Sequence, residues 1–117
     1  MNPSEYVKAA IRTECSYNSA DERLLHGAMG MITEAGEIID SLKKHIFYGK
    51  TLDKVNLVEE IGDTLWYIAI LADELNMSIE DIMEININKL RKRYPEKFTQ
   101  EAALNRDLDA ERKVLEA

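Results

Sequence analysis

The chain has 117 residues, 45% hydrophobic and 32% charged, with 15 basic against 22 acidic side chains and a formal net charge of −7. That length suits one domain, and the acidic balance excludes a general nucleic-acid polymer binder, which needs a basic footprint. A single cysteine, Cys15, excludes an intramolecular disulfide and a cysteine zinc cage. The longest apolar run, Leu65 to Ala72, is eight residues against the roughly 18 a membrane span needs. The start has neither the basic region nor the apolar core of a signal peptide, so the expected location is the cytoplasm, away from membranes.

Asn2, with Pro3 at the first helical position and Glu5 three residues after the cap, opens a short helix to about Arg12. Ser19 and Glu22 form a capping box for a long second helix that ends near Tyr48 and Gly49. Its predicted core stripe steps by three and four through Leu24, Ala28, Met31, Ile32, Ala35, Ile38, Ile39, Leu42 and Ile46. Asp53 caps a third helix to about Leu75, with Leu57, Ile61, Leu65, Ile68, Ala72 and Leu75 on its core face. Val55, Trp66 and Ile70 make that helix apolar on a second side as well, a pattern of central or interface helices. Ser78 and Asp81 start a fourth helix, which stops before Pro95. A last, more polar helix is expected from Thr99 through Ala103, Leu104, Leu108 and Leu115, docking weakly or on a partner subunit. No segment alternates with period two. The expected fold is all-α, a four-helix core of antiparallel helical hairpins completed by oligomerisation, with a peripheral C-terminal helix.

Two acidic doublets stand out, Glu34-Ala35-Gly36-Glu37 and Glu60-Ile61-Gly62-Asp63. Residues three apart share a helix face, roughly 5–6 Å between Cβ atoms. Spacing alone is uninformative, because with 22 acids in 117 residues chance supplies about four such pairs. The glycines add context. Gly27 and Gly30 share the face of Glu34 and Glu37, and each helical glycine costs about 1 kcal/mol relative to alanine, so close approach of a backbone or ligand is implied. Four converging carboxylates repel unless some are protonated or a cation is held, and magnesium suits such a site. Solvated surface acids are the other reading of the same spacing. On the fourth helix Asn86, Lys89 and Arg93 form a polar stripe. A lysine and an arginine on one face suit polyphosphate recognition, or else simply favour a helix C-terminus.

The combination of the two doublets, 22 residues apart, with Asn86-x-x-Lys89-x-x-x-Arg93 on the next helix resembles the MazG-like nucleoside triphosphate pyrophosphohydrolases. These belong to the all-α NTP pyrophosphatase superfamily, whose relatives include dimeric dUTPases. The resemblance covers about residues 20 to 95, and implies a pyrophosphohydrolase domain over 1–98 with a C-terminal helical extension over 99–117. It implies magnesium-dependent hydrolysis of (deoxy)nucleoside triphosphates to monophosphate and pyrophosphate, manganese being a possible substitute. Glu34, Glu37, Glu60 and Asp63 would hold the metal, with Glu37 accepting the proton of the attacking water. Lys89 and Arg93 would contact phosphates, and Asn86 would position the nucleotide or a metal-bound water. Leu90 and Tyr94 stand where the family often has phenylalanine, which bears on base contacts more than on the chemistry. Family members assemble as homodimers or homotetramers.

Trp66 and Tyr67 follow Asp63 and offer a base-stacking surface, though packing is the more ordinary use of such residues. His26 and His45 lack zinc spacing and suit hydrogen-bonding roles, and Cys15 reads as a bystander. Competing functions are a dUTPase-like enzyme of narrow specificity and a non-enzymatic helical interaction module. A carboxylate-bridged di-iron or manganese bundle would need Glu-x-x-His pairs, and neither histidine sits three after a glutamate.

Overall fold

The computed structural model describes residues 1–117 and contains six helices and no strand. They are α1 (Pro3–Ile11), α2 (Ala20–Tyr48), α3 (Lys54–Glu74), α4 (Ile79–Arg93), α5 (Gln100–Leu104) and α6 (Leu108–Glu116). The predicted N-caps all form, though the Ser19–Glu22 capping box is only half made, because Glu22 Oε2 accepts from the Asn18 amide. Asn2 accepts from the Glu5 amide in a complete capping box, and Ser19, Asp53 and Ser78 accept from Glu22, Asn56 and Asp81. Each such bond satisfies an amide that would otherwise be orphaned in the first turn. α2 stops at Gly49, whose φ of 70° places it in the left-handed region where glycine has no Cβ penalty. No helix is long and apolar enough to cross a membrane.

The chain divides into two compact units, Met1–Met77 and Ser78–Ala117. In the first, α2 and α3 form an antiparallel hairpin and α1 packs on α3. Tyr6 on α1 donates to the Gly62 carbonyl at 3.4 Å, and the Trp66 indole N–H donates to Thr13 Oγ1 at 2.8 Å. Arg23 of α2 ties this unit together: it grips Glu14 through two hydrogen bonds of 3.0 and 2.6 Å and reaches Asp73 at 2.8 Å.

Only part of the predicted stripe of α2 packs within the chain: Leu24, Met31 and Ile38 are half-buried. Ile32, Ile39 and Ile46 are 74%, 66% and 66% exposed, while Gly27 and Gly30 are buried. The reason is steric: a glycine face admits a neighbouring helix more closely than a row of isoleucines does. On α3 the predicted core face is kept in part. Ala72 is buried and Leu57 and Ile68 are half-buried, but Ile61, Leu65 and Leu75 are exposed. Ile70, assigned to the second side, is fully buried beside Ala69, while Val55 of that side is exposed.

In the second unit α6 packs on α4, so the C-terminal segment docks on its own chain. It is also two helices, not one. α5 ends at Asn105, and Asp107 caps a fresh start, its side chain accepting from the Ala110 amide at 3.0 Å. Leu104 and Leu108, expected on the buried stripe, are exposed, and Glu111 is buried instead.

Candidate functional site

The α2–α3 hairpin is set by two glycines. A Cβ on Gly30 would run into the Tyr67 ring, and one on Gly27 would lie 2.8 Å from Leu71 Cγ. The close approach inferred from these glycines is therefore that of α3 side chains. One turn further along α2 lies Glu34 and then Glu37, facing Glu60 one turn before the contact on α3. Ligand oxygens of Glu34, Glu37 and Glu60 all lie within 4.8 Å of one another. Asp63 is outside that group but lines a pocket with Glu34, so three of the four predicted carboxylates gather and the fourth stands at the pocket wall. Gly36 and Gly62, between the acids of each doublet, have nothing within 4 Å of a Cβ position, so the space over them is open.

Three like charges this close cannot all be ionised cheaply. Glu60 is buried and holds the charge. Hydrogen bonds from Glu34, Glu37 and Asn56 push its carboxyl below the usual range against the opposing effect of burial. Glu34 is pushed up to about 7 by its hydrogen bond to Glu60, then by burial and by the charges of Glu37, Glu60 and Asp63. Glu37, more open, moves upward for the same first reason. One oxygen of each inner acid, Glu34 Oε2 and Glu60 Oε2, is buried with no hydrogen-bond partner outside the cluster.

The pocket beside the cluster measures about 320 Å³ and is lined by Glu34, Asp63, Trp66 and Tyr67. Its aromatic wall is braced: the Trp66 and Tyr67 rings meet edge to face at 5.1 Å, and both lie edge to face with His26. His26 Nδ1 is 2.7 Å from the Tyr17 hydroxyl, and His45 Nδ1 donates to the Lys50 carbonyl at 2.7 Å. Both histidines thus serve the hydrogen-bonding roles expected of them. Cys15 is an exposed free thiol.

Asn86, Lys89 and Arg93 lie on α4 in the second unit. Arg93 has a partner there. Its Nε and Nη2 donate to Glu111 at 3.3 and 2.7 Å, and Arg106 grips the same carboxylate at 3.2 and 2.8 Å. Glu111, 3% exposed, is lowered to about 2 by these two guanidinium groups, Arg106 contributing first. The sequence reading missed Glu111, Arg106 and Asn56. An Asn56–Glu60 pair four apart was visible as a helical neighbour; Glu111 is 18 residues from Arg93 and had no local signal.

Residues 25–98 match the MazG nucleotide pyrophosphohydrolase domain, a span that holds both acidic doublets and the whole of α4. The chain belongs to the MazG family. It is also 35% identical over 79 residues to the Gene 37 protein of Mycobacterium phage L5, covering 62% of this chain and 67% of that protein. A second relative is the Bacillus subtilis (strain 168) protein YvdC, itself uncharacterised, 49% identical over 41 residues, which is 35% of this chain and 39% of YvdC. No solved structure matches the chain. Membership makes this a nucleotide pyrophosphohydrolase domain, a hydrolase of a family that typically uses a divalent metal. The MazG cluster fits such an ion: its donors are hard oxygens, and two of them are buried with no other partner.

Proposed function

We propose that this MazG protein hydrolyses (deoxy)nucleoside triphosphates to the monophosphate and pyrophosphate with magnesium, manganese being able to replace it. The observation that carries the reading is the pair of buried oxygens on Glu34 and Glu60 that have no partner outside a three-carboxylate cluster. Buried polar atoms are rarely left without a partner, and a cation is the natural one here. Glu34, Glu37, Glu60 and Asp63 would hold it. When bound, the ion supplies a lowered water pKa and neutralises charge on phosphate oxygens.

The chain's own groups do the rest. Glu60 Oε1 accepts from Asn56, which leaves its Oε2 facing the cluster as a fixed anion. Glu37 is exposed, and Glu60 raises its proton affinity, so its carboxylate is the proposed acceptor of the attacking water's proton. Trp66 and Tyr67 give the pocket an apolar wall beside Glu34 and Asp63, suited to excluding water from one side of a bound nucleotide. Asn86, Lys89 and Arg93 are the proposed substrate-binding residues, by the family's pattern. Arg93 must exchange Glu111 for phosphate to serve in that way.

The reading includes a catalytic domain over residues 1–98, an extension over 99–117, a cytoplasmic setting, and assembly as a homodimer or homotetramer. The last draws support from the apolar residues left in water on α2 and α3, among them Ile32, Ile39, Val55 and Val58. The test is product identity. Purified protein with each NTP and dNTP plus magnesium should yield monophosphate and pyrophosphate, and Glu37→Gln should abolish both while the parent sediments as a dimer or tetramer. Orthophosphate as the Glu37-dependent product would overturn the assigned bond. No turnover with any nucleotide would overturn the substrate class, and a monomer the assembly.

A further inference from the structure

Glu60 is 6% exposed, and outside the three-acid cluster only one of its two oxygens has a partner. That partner is Asn56, one turn earlier on α3, whose Nδ2 donates to Glu60 Oε1 at 3.1 Å. A carboxamide can flip and present its oxygen instead, which would repel the carboxylate. Here the flip is opposed from the other helix: Ser41 Oγ of α2 donates to Asn56 Oδ1 at 3.2 Å. The Asn56 backbone is fixed too, since it is the third residue of α3 and its amide donates to the capping Asp53 at 3.1 Å. Helix cap, hydroxyl, amide and carboxylate therefore form one chain of donors and acceptors that crosses from α2 to α3.

From this chain we propose that Asn56, oriented by Ser41, is a positioning residue that occupies Glu60 Oε1 and so leaves Oε2 as the oxygen offered to a divalent cation. The inference rests on the cluster being a cation site, as proposed above. Such outer partners orient ligating carboxylates, and losing one typically weakens metal affinity by about 10–100-fold. Ser41 acts one step further out, so its removal costs less.

The test is direct binding of Mn²⁺, read from the electron paramagnetic resonance signal of the free ion, with no nucleotide present. Asn56→Ala should weaken Mn²⁺ binding about 10–100-fold, and Ser41→Ala by a smaller factor in the same direction. The nucleotide KM at saturating Mn²⁺ should stay unchanged in both, while the Mn²⁺ concentration for half-maximal turnover rises. Unchanged Mn²⁺ affinity in Asn56→Ala, with the parent binding the ion, would overturn the positioning role and leave the cluster reading intact. A parent that binds no Mn²⁺ would overturn both. Should Asn56→Ala unfold, Ser41→Ala decides: its hydroxyl bonds Asn56 in the hairpin, and unchanged affinity there would overturn the chain.

Discussion

Glu34 and Glu111 are the same chemical kind of group, drawn into the protein in opposite ways. Glu111 sits between two guanidinium groups, every close partner is a cation, and its carboxyl is lowered to about 2. Glu34 sits among Glu37, Glu60 and Asp63, and its carboxyl is raised to about 7. The first arrangement spends its charge on holding α6 to α4. The second keeps unfavourable electrostatics in the folded state, which a bound cation would relieve. Strained charge of this kind is characteristic of functional sites, and it explains why a count of acidic residues could not separate the two regions.

Removing one acid from each region should split the responses most widely. Glu34→Gln should lower nucleotide turnover by more than about 100-fold, beyond what loss of an outer partner costs. Its melting temperature without metal should hold or rise, because the fold disfavours the Glu34 charge. Glu111→Gln should instead lower the melting temperature by several degrees, because two guanidinium groups lose a buried anion. Calorimetry that found the two variants shifted alike would erase the contrast.

A smaller effect comes from the glycines that set the hairpin. Gly30→Ala presses a methyl group into the Tyr67 ring and should cost about 1–3 kcal/mol. Gly36→Ala meets open space and should stabilise α2 by about 0.5–1 kcal/mol. Urea denaturation of both variants checks this, and a Gly30→Ala protein as stable as its parent would remove the close approach as the reason for the glycine.

The smallest expected effect is in the pH dependence without divalent cations. The Glu34 value in the folded state, about 7, lies above its ordinary 4.5. Folded protein therefore binds more protons between these values, and this group makes stability fall as pH rises from about 4.5 to about 7. Glu111 has the opposite sign: its folded value of about 2 lies below 4.5, so its contribution is present above pH 4.5 and lost as pH falls towards 2. The metal-free melting temperature should drop by a few degrees from pH 5 to 7, and millimolar magnesium should flatten that slope. A rise over the same interval without metal would contradict the strained cluster.

How much was legible beforehand depended on the range of the interaction. Asn2, Ser19, Asp53 and Ser78 each cap a helix through a bond to a residue three positions on, so helix starts followed from neighbours alone. The doublets were legible for the same reason, since residues three apart share a face whatever the tertiary structure does. Their convergence was one of two readings that spacing and glycines left open, solvated surface acids being the other, and three of the four acids do meet. The break at Asn105 to Asp107 went unread because a weak apolar stripe ran through it, although Asp107 carried a usable cap signal.

By itself, then, the sequence determined the all-α class, the helix starts and the acidic doublets, which depend on residues within a few turns of one another. It also determined the MazG resemblance, which depends on the linear spacing of such local motifs along the chain. Only the tertiary structure decided which face of α2 packs inside the chain, that Asp63 lines the pocket beside the three-acid group rather than joining it, and that Arg93 is held by Glu111. Those outcomes turn on where helix meets helix. Such meetings are chosen by close steric fit and by charges many residues apart, which periodicity along a single helix does not encode.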